Sequence, residues 1–362
     1  MIDLVQLRRE PDFVKAALAR RGVSPATMDE IIALDVEHRE LLQEAERLRA
    51  EVKFLSRLVG EANRDKDTAT AATLTEKSRG LGENERVATE AMERVGSKLR
   101  DELLTIPNVP DPGVPDGVDE NDNVELRRWW PGMDEGRPFP EFADHQKVPH
   151  WDAALELGIL DLEAGARIAG SMFPLFRGAG SRLIRSLSAL SLDRNAGVYE
   201  EIHPPTFALT ATMMSTGHLP KSVDEMYGIE RDGLWAIPTA EVPLTSMHAD
   251  EILDEASLPI RLCAETACFR REAGAAGRDT RGVLRVHEFD KVELFAYCTP
   301  EQGSAAFDDI LARAESLLQE LEMCIRDRPS TKPRGCWATR SRVTPSTSST
   351  STLRRPCGSP RR

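Results

Sequence analysis

The strongest constraint in this chain is a repeat of seven. Ile31, His38, Ala45, Val52 and Val59 occupy one heptad position, and Leu34, Leu41, Leu48 and Leu55 another, three residues further on. A stripe with this period can be buried only along a partner helix, so the spacing predicts a coiled coil. A polar break, Asn63-Arg64-Asp65-Lys66-Asp67, interrupts the pattern. Beyond it Leu74, Leu81, Ala88 and Val95 again stand at sevens with Met92 and Leu99 beside them, while Gly80 and Gly82 weaken the second helix locally. Two such helices across a short turn fold back as an antiparallel hairpin. About 36 residues at ~1.5 Å each give an arm of ~54 Å. Arg47, Arg49, Lys53, Arg57, Arg64 and Lys66 place cations on its outer face and tip. That surface reads either as a solvated coiled-coil exterior or as a contact for nucleic-acid phosphates.

The rest of the chain divides around this arm. Residues 4–20 carry a helical apolar face of Val5, Leu7, Phe13, Val14, Ala17 and Leu18, which extends the helical region over 1–105. VPDPGVPDG, dense in proline and glycine, marks a linker over 106–130. From 131 to 323 helical and extended patterns alternate. The last stretch, 324–362, breaks with everything before it: ten Lys/Arg, one acid (Asp327), and Ser, Thr and Pro in place of apolar periodicity. It reads as a basic disordered tail or, given its abrupt onset after AAFDDILARAESLLQELEM, as the product of a frameshift or chimeric join. The second reading is preferred.

Charge limits the functions available. The 362 residues carry −13, and the first 323 carry −22, so any nucleic-acid contact needs a local basic patch rather than a basic coat. There is no apolar run of 18 and no apolar leader after MIDLVQLRREPDF, which predicts a cytoplasmic protein without a membrane span. The six cysteines (263, 268, 298, 324, 336 and 357) form no C-x-x-C pair, so no metal site is expected and buried free thiols are the better reading.

The chemistry concentrates in CFRREAGAAGRDTRGVLRVHEFDKVELF, residues 268–295. Two extended runs flank a Gly-rich loop bearing Arg278 and Arg281. On a strand, residues of equal parity share a face. This puts Arg285, His287, Phe289, Lys291 and Glu293 on one side of the return run, with Leu284, Val286, Val292 and Leu294 on the other, and pairs Arg270 with Glu272 on the first run. Two arginines, an aromatic and two carboxylates facing one cleft are poor core chemistry, because buried charges need partners. Alternation alone favours the solvated face of a sheet, and the Gly-rich loop with its two further arginines, which suits a triphosphate, weighs against it. Thr239 and Glu241 in Pro238-Thr239-Ala240-Glu241 also share parity, and by themselves read as a turn.

Together these segments resemble the class II aminoacyl-tRNA synthetases, in particular the bacterial-type seryl-tRNA synthetases, over residues 1–323. The resemblance is carried by MIDLVQLRREPDFVKAALARRG, the hairpin over 27–105, IPNVPDPGVP, VPHWDAALELGILD, a motif-1-like stretch over 170–205, PTAEVPLT, and the motif-2-like ACFRREAGAAGRDTRG…HEFDKVE. It implies an α+β fold: an antiparallel helical tRNA-binding arm, and a class II antiparallel sheet flanked by helices. It implies a serine–tRNA ligase. ATP and Mg²⁺ would convert L-serine to seryl-adenylate, which passes to tRNA(Ser) and, by family, tRNA(Sec). It gives Arg270 and Arg285 the phosphates, and Arg270, Arg271, Glu272, Val286 and Phe289 the ATP site. Thr239, Ala240, Glu241 and Glu293 take the serine, and Pro205 a homodimer interface. The four histidines at 203, 218, 248 and 287 read as structural, since a serine carboxylate is already ionised and needs no base. Nothing in 324–362 resembles motif 3, which completes the ATP site in the family. This polypeptide is therefore expected to be inactive as written, with a non-catalytic tRNA-binding protein as the alternative.

Overall fold

A computed structural model describes residues 2–117, 122–143, 147–273 and 281–327. The chain forms two compact units, Met1–Val109 and Pro110 onward.

The first unit is helical. Short helices α1 (Leu4–Arg9) and α2 (Pro11–Ala19) precede two long ones, α3 (Pro25–Arg64) and α4 (Thr68–Thr105). Ser24 caps α3 by accepting the Thr27 N–H at 3.1 Å, with Pro25 at the first turn where its missing donor costs nothing. The polar break becomes the turn between the long helices. Lys66 there takes a left-handed φ of 60°, and Asp67 caps α4 by accepting the Thr70 N–H at 3.0 Å. The hairpin is the one expected: Ile31, Ala45, Leu48 and Leu55 of α3 and Val95 and Leu99 of α4 are buried. Gly80 and Gly82 lie within an unbroken α4. His38, a polar member of the heptad stripe, fits because it faces Gly96, where a Cβ would come within 2.9 Å of the imidazole Nε2. Ile2, Leu7, Val14, Leu18, Met28, Ile31, Leu99, Leu103 and Ile106 form a core at the root of the arm. A buried Asp35 carboxylate accepts from Arg8 at 2.6 and 2.9 Å and from Arg39 at 3.1 Å, tying α1 to α3.

The second unit is mixed. Its elements are β1 (Arg127–Trp129), α5 (His150–Glu156), β2 (Leu160–Asp161), α6 (Leu162–Ala169), β3 (Leu175–Phe176), α7 (Ala179–Asp193), β4 (Glu200–Glu201), β5 (Phe207–Leu209) and α8 (Thr210–Ser215). These are followed by β6 (Gly228–Ile229), β7 (Leu234–Ala236), α9 (Glu241–Ser246), β8 (Ile260–Phe269), β9 (Glu288–Tyr297), α10 (Gly303–Glu320) and β10 (Ile325–Asp327). The central sheet runs β4-β8-β9, with β8 and β9 antiparallel over ten residues and β4 joined parallel to β8. A second sheet runs β5-β7-β6, all antiparallel. One face of the central sheet packs Cys263 and Leu294 against Tyr199, Leu192 of α7 and Ile310 of α10. The other face packs Leu262, Ala264, Phe295 and Tyr297 against Ala240 and Leu244 of α9.

Two expectations shift. The return run 283–295 is a strand only from Glu288, with His287 adding one backbone bond to the ladder, so Leu284 to Val286 lie in bends before β9 and strand parity does not apply to them. The start of the basic stretch, Ile325–Asp327, forms β10, paired antiparallel with β1. Residues 328–362 and loop residues 274–280, including Arg278, lie outside the described part.

Candidate functional site

The α9-facing side of β8 and β9 builds the site. Cross-strand register places Ala264 opposite Glu293, Thr266 opposite Lys291 and Cys268 opposite Phe289, so these side chains share one face. The ladder continues one step past β8, where the Arg270 N–H donates to the His287 carbonyl at 2.9 Å. The segment after β7 is stitched alongside: the Phe269 N–H donates to the Ile237 carbonyl at 2.8 Å, and Arg270 Nε reaches the Pro238 carbonyl at 3.4 Å. That stitching carries Thr239, Ala240 and Glu241 to the sheet face.

At one end of the face the polar groups are buried and mutually satisfied. Thr239 and Glu241 are each 4% exposed and Glu293 is 2% exposed. The Thr239 hydroxyl donates to Glu293 Oε2 at 2.9 Å. Its oxygen accepts the Glu241 N–H at 3.2 Å and the Lys291 ammonium at 2.9 Å. Lys291 also forms an ion pair with Glu293. A buried carboxylate survives because a cation and a hydroxyl meet it. At the other end the Arg270 guanidinium covers the Phe289 ring, 5.1 Å from its centroid. Glu272, at a left-handed φ of 51°, forms an ion pair with Arg285. Arg271 donates its backbone N–H to the Glu225 carbonyl at 2.9 Å, and Val286 is half-buried in the turn that delivers Arg285.

The structure thus brings Thr239, Ala240 and Glu241 beside Glu293 at one end of the face, and Arg270 over Phe289 at the other. Glu272 and Arg285 meet each other, although neither lies on a strand. Pro205 sits elsewhere, exposed in the segment between β4 and β5. Sequence reading placed Lys291 on this face and gave it no task. Its signal was the odd parity it shares with Glu293 inside a run that must bury one face.

Neighbouring histidines hold the scaffold. His287 donates its backbone N–H to the Met172 carbonyl at 3.0 Å, and its ring Nδ1 meets the Arg270 carbonyl at 3.0 Å. His218 Nδ1 meets the Thr216 hydroxyl at 3.0 Å. Burial, reinforced by the charges of Arg270 and Lys291, pulls its pKa down to about 4. The Cys268 thiol, buried on the site face, is pushed up by desolvation and stays protonated. The far side of the Gly-rich loop is docked on α5: the Val283 N–H donates to His150 Nε2 at 2.9 Å, and Arg281 lies over the Trp151 ring at 4.8 Å. Among the described residues no group of three or more His, Cys, Asp or Glu could hold a metal ion. Among those residues, too, no helix is long and apolar enough to cross a membrane.

Chemically, the face offers a buried carboxylate and hydroxyl suited to an ammonium and a small polar group. A few residues away it offers a guanidinium and an aromatic plane suited to a nucleotide phosphate and base.

Comparison with known proteins bears on the same segments. Residues 1–110 match the seryl-tRNA synthetase N-terminal domain, and residues 227–341 match the class II tRNA synthetase core domain of the G, H, P, S and T enzymes. The serine–tRNA ligase of Chloroflexus aurantiacus (strain J-10-fl) is 39% identical over 329 residues, covering 91% of this chain and 75% of the relative. That of Synechococcus elongatus is 42% identical over 330 residues, covering 90% and 75%. Among solved structures, seryl-tRNA synthetase from Pyrococcus horikoshii complexed with ATP superposes with a TM-score of 0.78 at 33% identity, over 90% of this chain and 76% of that one. The cytoplasmic serine–tRNA ligase of Naegleria fowleri in complex with AMP shares the fold, with a TM-score of 0.74 at 24% identity over 91% and 74%.

Proposed function

The chain belongs to the serine–tRNA ligase family of aminoacyl-tRNA synthetases, and from that premise we propose that its sheet face activates L-serine with ATP for transfer to tRNA(Ser) and tRNA(Sec). The serine carboxylate attacks the α-phosphorus of ATP, pyrophosphate leaves, and seryl-adenylate remains. A terminal hydroxyl of the tRNA then takes the seryl group and AMP leaves. Mg²⁺ bound to the triphosphate would supply further charge neutralisation beside Arg270 and Arg285.

The roles follow from the chemistry of each group. Arg270 and Arg285 neutralise the phosphates, and Arg270 meets the charge that grows at phosphorus during attack. One charge-assisted bond of roughly 1.5–3 kcal/mol, made in the transition state alone, is worth about ten- to a hundredfold in rate. Phe289 offers a plane to adenine, Glu272 an acceptor for its amino group, and Arg271 and Val286 line the same nucleotide. Thr239, Glu241 and Glu293 grip the ammonium and hydroxyl of serine beside Ala240. A pocket that bonds the hydroxyl rejects alanine, because its own buried partner is otherwise left unpaired.

Dimerisation through the motif-1 region is part of the proposal. Leu183 and Leu187 stand one turn apart on α7, 54% and 39% exposed, and Phe207 and Leu209 alternate outward on β5 near Pro205. Such apolar exposure fits a covered interface. A cytoplasmic location accords with a tRNA substrate.

The observation that carries the proposal is the buried Thr239–Glu293 hydrogen bond on the same sheet face as the Arg270–Phe289 pair. Calorimetric titration of the full chain tests it. L-serine binds, L-alanine binds at least about a hundredfold more weakly, and Glu293→Gln loses serine. Equal affinity for the two amino acids would sink the reading.

A further inference from the structure

Lys291 engages the two groups through which a substrate ammonium is read as being held. Its Nζ donates to Thr239 Oγ1 at 2.9 Å and forms an ion pair with Glu293. A lysine Nζ and an amino acid's α-ammonium are the same chemical group, a tetrahedral N–H donor carrying one positive charge. Glu293 Oε2 already accepts from both Thr239 and Lys291, so a substrate ammonium that uses this oxygen and Thr239 Oγ1 competes with Lys291 for them. Lys291 also stands between the two ends of the site. Glu293 lies two residues along β9 in one direction, and Phe289, with Arg270 over its ring, two residues in the other. Its side chain is 12% exposed, against 2% for Glu293, so it has an outlet that Glu293 lacks.

We propose that Lys291 is a specificity-determining residue, whose ammonium holds the acceptors of the substrate ammonium, yields them when the ligand binds, and turns to the ligand's anionic end. The exchange keeps charge balanced before and after. A ligand with an ammonium but no anion displaces Lys291 and strands it. A ligand with an anion but no ammonium cannot displace it. The pocket therefore selects a zwitterion, which separates an amino acid from the matching amine or hydroxy acid. This rests on the reading of the pocket as a serine site, and it adds a residue and a mode of selection to that reading.

The test is binding of L-serine and of ethanolamine, which keeps the ammonium and hydroxyl and lacks the carboxylate, to the full chain by calorimetry and ligand-detected NMR. In Lys291→Met the competitor and the stranded charge are both gone. Ethanolamine tightens, L-serine weakens, and the preference for serine over ethanolamine falls by at least about tenfold. Lys291→Gln keeps hydrogen-bonding capacity toward Thr239 and Glu293 without the charge, and gives the same loss of preference should the methionine variant fail to fold. Lys291→Arg, which keeps the charge, holds the preference within about threefold of the parent. A preference unchanged in the neutral variants, with both ligands weakened alike, overturns the inference and leaves the serine pocket standing. L-serine binding that survives Glu293→Gln overturns the pocket and the inference together.

Discussion

At the scale of single residues, the site is a set of charges that burial forces into partnership. Sequence parity was enough to bring Phe289, Lys291 and Glu293 to one face, because β9 is regular there. It could not find Lys291's partners, because Thr239 reaches the face through a backbone bond between Phe269 and Ile237, thirty-two residues apart in sequence. His218 shows the same limit. Nothing in STGHLP announces that the ring is half-buried and feels the charges of Arg270 and Lys291, yet its pKa drops to about 4. The sign of the consequence is fixed. The unfolded chain protonates His218 near pH 6.5 while the folded chain stays neutral to about 4, so stability present at pH 7 is lost as pH falls through that window. A gap of this size is worth roughly 3 kcal/mol in full, of which about 2 is gone by pH 5. Replacing His218 by Gln removes the titration. Urea unfolding of the variant at pH 7.5 and pH 5 should show a stability difference smaller than the parent's by about 2 kcal/mol. An equal difference in both would mean the ring titrates freely in the folded state.

At the scale of elements, regular periodicity was readable and its interruptions were not. The heptads predicted α3 and α4 because a one-sided apolar stripe has a single solution, and two glycines in α4 did not alter it. The turns before β9 hid from the same logic. Residues 283–287 alternate like a strand, but only His287 still pairs, through its carbonyl with Arg270, while Val283 is held by His150 at a distant anchor off the ladder. Two glycines make the contrast measurable. Gly80 is exposed on α4, and a Cβ there meets nothing within 4 Å, so only its backbone freedom matters. Gly165 is buried on α6, and a Cβ there falls 1.9 Å from the Phe173 carbonyl oxygen. The same substitution should act in opposite directions. Gly80→Ala stabilises by about 0.5–1 kcal/mol, whereas Gly165→Ala costs roughly 1–3 kcal/mol because backbone must move. Thermal unfolding followed by far-ultraviolet circular dichroism reads both, and a rise in midpoint for Gly165→Ala would refute the close approach.

At the scale of the whole molecule, net charge and the proposed substrate pull against each other. A net charge of −13 repels a polyanion at long range, so the proposed tRNA contact falls to local cations, and the hairpin carries candidates. Sequence listed six candidates there, and the structure sorts them. Arg47 is held by Glu44 and Glu51, Arg49 by Glu85 at 3.0 Å, and Arg57 approaches Glu61 at 3.9 Å. Among the described residues no ion pair engages Lys53, Arg64 or Lys66, two of which stand at or beside the hairpin turn. A compensated arginine must give up its carboxylate before it meets a phosphate, so among these six the readily available charge belongs to Lys53, Arg64 and Lys66. Each phosphate contact releases condensed counterions and contributes about 0.9 to the slope of log affinity against log salt for a duplex. Replacing Lys53, Arg64 and Lys66 together by Ala should weaken tRNA(Ser) binding and flatten that slope by roughly 2–3. Arg47→Ala, which frees two glutamates as it removes one cation, should weaken binding through repulsion with the slope changed by no more than about 1. Filter binding across a salt series separates the two cases. A triple variant with the parent's slope would move the RNA off the hairpin tip.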